Sequence, residues 1–446
     1  MQDKHGILTA PIPGLLKQLT VPMIFGIVAI LMFNLIDTFF ISLLGTEALA
    51  AVSFTFPVTF AVNCITMGIG VGLSTCIARL LGQGYAKSAA QFTTHGLLLA
   101  VLLVVLASTI GFFSIEPLFL ALGATSDLIP LIDQYMSIWY LTVPLLVIPM
   151  SGNSAIRATG DTKSPAKIMM LAGFINGVLD PLLIFGYGPF PELGVQGAAI
   201  ASGISWGGAL VGSLWVLIKR EKMLSLPRLS SLFTDWWQIL RIGTPAAFAN
   251  ALNPLSGAIL MIMLASQGTA AVAAYGAAQR VESLMLIVVM AITSALSPII
   301  AQNMGAEHRG RVIEAISVTV KFSLFLQFML FIMMVPLSIP ISHLFSQEPS
   351  VRDALWNYLL IVPLSYCFQA IVMILISSLN ALHMPIKAFQ WSFMRLFVFL
   401  LPCAWLGRYF YASEGLFAGI AVGNTLCGVA AFVYLLRFRN PNLLRD

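Results

Sequence analysis

The chain has 446 residues, of which 59% are hydrophobic and 9% charged, against roughly 25% charged in an ordinary soluble domain. Water is therefore not its main solvent. The net charge of +5 does not point to a nucleic-acid partner, because the basic residues are spread over alternate loops instead of forming one patch.

Segments of about 20 apolar residues cross a hydrocarbon core of about 30 Å. Twelve are predicted, over 15–43, 51–80, 90–112, 129–150, 164–187 and 194–218, then 238–266, 271–302, 312–336, 353–377, 385–407 and 415–436. Lys17, Arg79, Lys163, Arg220, Arg309 and Lys387 fall on one side of these spans, and Glu47, Glu116, Glu192, Glu348 and Glu414 on the other. The positive-inside rule then puts both termini in the cytoplasm, as an even number of spans requires. The first 19 residues lack an uninterrupted apolar region and a small-residue cleavage site, so no removable signal peptide is expected.

The first span, within FGIVAILMFNLIDTFFISLL, contains Asp37 with no Lys or Arg inside fifteen residues on either side. Pro22 lies about four turns before it, as a hinge or as a helix-start proline. The fifth span places Asn176 and Asp180 four residues apart, on one helical face. An ionisable group at bilayer depth costs about 2.5 to 3.5 kcal/mol on insertion scales, so it marks a functional site by default. Asp37 and Asp180 are therefore the lead residues. Low dielectric favours a neutral carboxyl, and the expectation is that the pair binds and releases a proton, with Asn176 and Ser202 hydrogen-bonding either form. Oxygens of Asp37, Asp180 and Asn176 would equally suit Na+, a hard cation. The sequence leaves H+ and Na+ both open, and no other cofactor is expected.

Catalysis is not expected. Gly203, Ser205 and Gly207 fit G-x-S-x-G but lie within a predicted helix instead of a strand-to-helix turn, and no P-loop is present. All five cysteines fall in apolar spans without metal or redox spacing. Arg280, Glu282 and Arg395 are the intramembrane charges of the second half. They form either an internal ion pair or a contact to substrate in a cavity.

The second half overlays the first with a shift of 223, matching Pro22 to Pro245, Gly45 to Gly268, Ser74 to Ser297 and Gly82 to Gly305. Further on the shift becomes 220, with Pro165 on Pro385 and 197–203 on 417–423. The expected fold is an all-α membrane protein of twelve transmembrane helices. Two six-helix lobes, residues 1–218 and 238–446, are joined by a basic cytoplasmic linker, 219–237. Each copy has an even number of spans, so a pseudo-two-fold along the membrane normal should relate the lobes. Asp37 maps onto Leu260 and Asp180 onto Leu400 or its neighbour, so carboxylate chemistry belongs to the first lobe. Small residues at packing spacing, Gly68 and Gly72 or Gly415, Gly419 and Gly423, should let helices approach closely.

RATGDTKSP (157–165), DPLLIFGYGPFPELGVQGAAIAS (180–202) and the doubled six-span layout resemble the multidrug and toxic compound extrusion (MATE) family, and within it the DinF-type branch. The resemblance covers nearly the whole chain. It implies a multidrug efflux antiporter of a bacterial or archaeal cytoplasmic (inner) membrane, exporting small organic, often cationic, compounds in exchange for H+ or Na+ by alternating access. A monomer in contact with membrane lipid is expected. The family's ion site in the N-terminal lobe falls on Asp37, Asn176, Asp180 and Ser202, the last where many relatives carry Thr, and on Asn153 in the fourth span. Acids typical of the second lobe in other branches are missing from the seventh span, and bending of the first helix near Pro22 is implied. The competing expectation is a flippase for lipid-linked substrates, which would need a strongly basic cleft.

Overall fold

The computed structural model describes residues 5–438, and readings that fall on 1–4 and 439–446 lie outside the described residues. Every regular element among the described residues is helical. The first half contains α1 (Ile12–Ser42), α2 (Thr46–Gly82), α3 (Ala86–Phe113), the short α4 (Ile115–Ala121), α5 (Ile129–Ala158), α6 (Lys163–Ile184) and α7 (Val195–Trp215). The second contains α8 (Leu229–Ala265), α9 (Thr269–Gly305), α10 (Arg309–Phe345), α11 (Pro349–Ile361), α12 (Tyr366–Ala381), α13 (Pro385–Met394) and α14 (Leu401–Arg437).

Among the described residues, eleven continuous helical stretches are long and apolar enough to cross a membrane. The longest, Pro385–Arg437, breaks at Tyr411 and Ala412, where φ reaches −138° and +50°. Its two arms supply separate spans, which gives the twelve expected. Glycines hold the arms together: a Cβ on Gly415, Gly419 or Gly423 would run into the carbonyl oxygen of Gly407, Cys403 or Phe399.

Two compact units are present. One is made of residues 21–247 with His5, the other of 6–20 and 248–438. In the first, α5 packs against α2, α3 and α7; in the second, its counterpart α12 packs against α9, α10 and α14. The duplication is visible in the backbone too. Left-handed φ values recur at a shift of 223, Gly84 (+83°) with Glu307 (+62°) and Gly160 (+98°) with His383 (+61°). Near the end the register differs slightly from the sequence overlay. Gly194 (φ 54°, ψ −129°) and Ala412 (φ 50°, ψ −128°) adopt one conformation at the start of the sixth and twelfth spans, so the structural shift there is 412 − 194 = 218.

The linker is tied down. The buried His95 of α3 places Nδ1 2.6 Å from Asp235 Oδ2, its Nε2 accepts from the Arg228 amide at 3.1 Å, and its carbonyl accepts from Trp236 Nε1 at 2.8 Å. Beside it, the Ser225 amide donates to Thr94 Oγ1 at 3.1 Å. These bonds carry the chain into the first part of α8, where Gly243 meets Gly68 and Ile239 meets Gly72 of α2. In the second unit, Arg311 donates to the carbonyls of Ile7 (3.1 Å) and Ala10 (2.7 Å), fixing the stretch that leads into α1. The unit boundaries therefore fall inside α1 and α8, one residue before Pro22 and two after Pro245. Pro22 lies ten residues into α1, which replaces the helix-start reading with a mid-helix one.

A Cβ on Gly68 would sit 2.5 Å from Gly243 O, whereas one on Gly207 meets nothing within 4 Å. Gly68→Ala should therefore cost about 1 to 3 kcal/mol through overpacking, while Gly207→Ala should gain about 0.5 to 1 kcal/mol from helix propensity. Thermal unfolding of both variants in detergent checks this, and equal behaviour would refute the close α2–α8 approach.

Candidate cation-coupling site

The site starts on α6. Asn176 and Asp180 are one turn apart and fully buried, and Asn176 Nδ2 donates to Asp180 Oδ1 at 3.0 Å. The same amide reaches Ser202 Oγ of α7 at 3.4 Å. Local folding brings Ser202 there. α6 ends four residues after Asp180, the amides of Leu193 and Gly194 return to the carbonyls of Leu183 and Ile184 (3.0 and 3.1 Å), and Gly197 has no Cβ to hold α7 away from Leu183.

Helix α1 lies along α6 in the same direction. Ile36 packs on Gly177, at 3.8 Å from where its Cβ would be, and the rings of Phe40 and Phe185 are 6.3 Å apart. That register puts Asp37 level with Asp180, and the two carboxylates lie within electrostatic reach of each other and of the buried Tyr135 on α5. An apolar groove of about 380 Å³, lined by Leu35, Ile36, Phe39, Phe40 and Gly177, runs beside them.

Asp37 is half-buried, but its Oδ1 is sealed from solvent and has no hydrogen-bond partner. Asp180 Oδ2 and Asn176 Oδ1 are in the same condition. Among the described residues neither acid is paired with a basic group. Buried polar atoms normally find a partner, and buried charges are paired or coordinate a cation. Three enclosed acceptor oxygens with a single amide donor between them therefore fit a cation. A proton or Na+ is the kind of cation such oxygens would accept.

The sequence-derived residues divide in two. Asp37, Asn176, Asp180 and Ser202 come together, while Asn153 does not join them. On parallel α5 and α7, Gly203 packs against Thr142 and Gly152 against Ser213. Asn153 is thus level with a point about twelve residues beyond Ser202, roughly 18 Å along the helix at 1.5 Å per residue. Tyr135 is a neighbour that sequence reasoning missed, since a lone tyrosine in an apolar span carries no spacing signal. The RATGDTKSP motif is structural: Asp161 Oδ1 accepts from the amides of Lys163 and Ser164 (3.0 Å each) at the start of α6, and Arg220 Nη2 approaches its Oδ2 at 3.5 Å. Ser205 donates to Ala201 O of its own helix at 2.7 Å, so it is not poised as a nucleophile.

In the second unit Arg280, Glu282 and Arg395 form no salt bridge within 4.0 Å among the described residues. Glu282 accepts from Tyr358 Oη (3.3 Å) and Gln369 Nε2 (3.2 Å). Arg395, in a π-helical turn, lies within its electrostatic reach. Arg280 is exposed and has no ion-pair partner among the described residues.

The MatE family profile matches residues 22–182 and 245–406, two stretches whose starts differ by 245 − 22 = 223, the offset of the internal repeat. A FAD transporter of Shewanella oneidensis is 45% identical over 443 residues, 99% of this chain and 98% of that one. The crystal structure of the Vibrio cholerae MATE transporter VcmN in the bent form superposes with a TM-score of 0.92 at 32% identity, covering 98% of this chain and 99% of that one. The multidrug export protein MepA of Staphylococcus aureus is 26% identical over 453 residues, covering 96% and 95%. With its twelve-helix membrane fold, the chain belongs to the MatE family, whose members carry out secondary-active multidrug efflux and are not enzymes.

Proposed function

We propose that the chain is a cation-coupled exporter of the DinF-type branch, working by alternating access from a cytoplasmic membrane with both termini inside, as a single chain. The observation that carries this reading is the set of three sealed, partnerless oxygens on Asp37, Asn176 and Asp180. A bound H+ or Na+ satisfies them, and its departure leaves two like charges in low dielectric, a state that a conformational change relieves by admitting water. The ion and the cargo thereby exclude one another's preferred conformations, which is the condition for exchange. Pro22 is the point at which α1 bends, because the helix enters the second unit on one side of it and the first on the other.

For the cargo, the 45% identical relative named a FAD transporter directs the reading to flavin dinucleotides. Organic cations form the second reading, supported by the resemblance to MepA.

In proteoliposomes, Asp37→Asn and Asp180→Asn should each lower gradient-driven efflux at least tenfold while leaving the protein folded by gel filtration. Efflux that survives in both removes the assignment. A pH gradient and a Na+ gradient imposed separately choose the ion, and the one that drives wild-type efflux should fail to drive either variant. Ser202→Thr should keep near-normal transport because the hydroxyl remains. Ser202→Val should lose about 1 kcal/mol of ion affinity, about fivefold, and equal affinities in the two variants would exclude Ser202 from the site.

A further inference from the structure

Arg280 occupies a place that a cation exporter has no reason to fill. It lies 280 − 269 = 11 residues into α9, about 16 Å along the axis, between the apolar runs AAVAAYGAA and LMLIVVMAI. An unpaired guanidinium within an apolar span is costly against lipid tails and stable against water or an anion. Its nearest acid in sequence is unavailable, since Glu282 is engaged by Tyr358 and Gln369. The face it occupies is open. One turn before it, a Cβ on Gly276 would meet nothing within 4 Å, and one turn after it Ser283 is exposed.

We propose that Arg280 is a specificity-determining residue that binds a phosphate group of the cargo, so that the exporter takes phosphate-bearing, dinucleotide-like molecules in preference to organic cations. The planar guanidinium offers paired N–H donors that match two phosphate oxygens. Gly276 leaves room beside it for a bulky group, and the exposed hydroxyl of Ser283, whose proton goes to Gln279 O at 2.9 Å, marks the other edge. An organic cation would be repelled at the same spot. The inference rests on the export reading above, and it names the chemistry of that exporter's cargo.

The test compares wild type, Arg280→Ala and Arg280→Lys in proteoliposomes. The cargoes are FAD, riboflavin (the same ring system without phosphate) and ethidium (an organic cation), each in vesicles of phosphatidylcholine alone and with phosphatidylglycerol. Arg280→Ala should lower FAD transport at least tenfold in both vesicle types, Arg280→Lys should recover part of it, riboflavin should stay within twofold of wild type, and ethidium transport should hold or rise. Unchanged FAD transport, or an equal fall for all three cargoes, overturns the proposal. So does a loss confined to phosphatidylglycerol vesicles, which would assign the arginine to a lipid headgroup. Flavin fluorescence of FAD bound to purified protein, competed with inorganic pyrophosphate, reads the site without transport. Competition in wild type that disappears in Arg280→Ala supports phosphate recognition even if no gradient drives export, and its absence in wild type refutes it. Failure of every cargo on every gradient would instead refute the export reading.

Discussion

Two neighbouring carboxylates of the first lobe each hold an enclosed oxygen without a partner, and among the described residues no base neutralises them. Asn176 can donate to one oxygen of Asp180 and to Ser202, and no other hydrogen bond reaches the remaining enclosed oxygens. Burying a lone charge costs far more than an ordinary hydrogen bond returns. A cation bound there would satisfy these oxygens. A transporter can use this, because a site that must be filled in one conformation and can be emptied in another links ion movement to shape.

The helices around the pocket follow from that need. α6 stops just beyond Asp180, α7 returns tightly against it through Gly197, and α1 runs alongside with Asp37 in register. The duplicated partner of this arrangement keeps the turns and the packing scheme but has apolar residues in place of the acids, Leu260 for Asp37 and one of Val398 to Leu400 for Asp180, so the backbone plan is shared and the carboxylates are not. α1 and α8 each begin in one compact unit and finish in the other. Within the second unit Arg311 holds the stretch that leads into α1, and within the first His95 holds the linker that leads into α8.

Much of this was legible in the sequence because membrane chemistry permits few solutions. Long apolar runs must be helices, so the spans and the doubling could be read directly, and an acid without a basic neighbour in such a run stands out. What stayed hidden depends on rotation and depth about a helix axis. Asn153 looked like a ligand by resemblance, yet its level on α5 is about three turns from Ser202. Arg280 and Glu282, two residues apart, point to different sides of α9 and so do not pair. Tyr135 and His95 act through residues far away in the chain. The kink at Tyr411 and Ala412 lies in continuous helix, and only its φ and ψ values show that the repeat register there is 218 instead of 220.

Infrared difference spectroscopy of the purified protein during proton and Na+ titrations addresses the ion-binding pocket most directly, since it reports the carboxyl groups themselves. A carboxyl band that responds to one of these cations in wild type should be unaffected by Glu282→Gln and abolished in the Asp37→Asn, Asp180→Asn double variant. A response that persists in the double variant, or that vanishes with Glu282→Gln, would contradict the account.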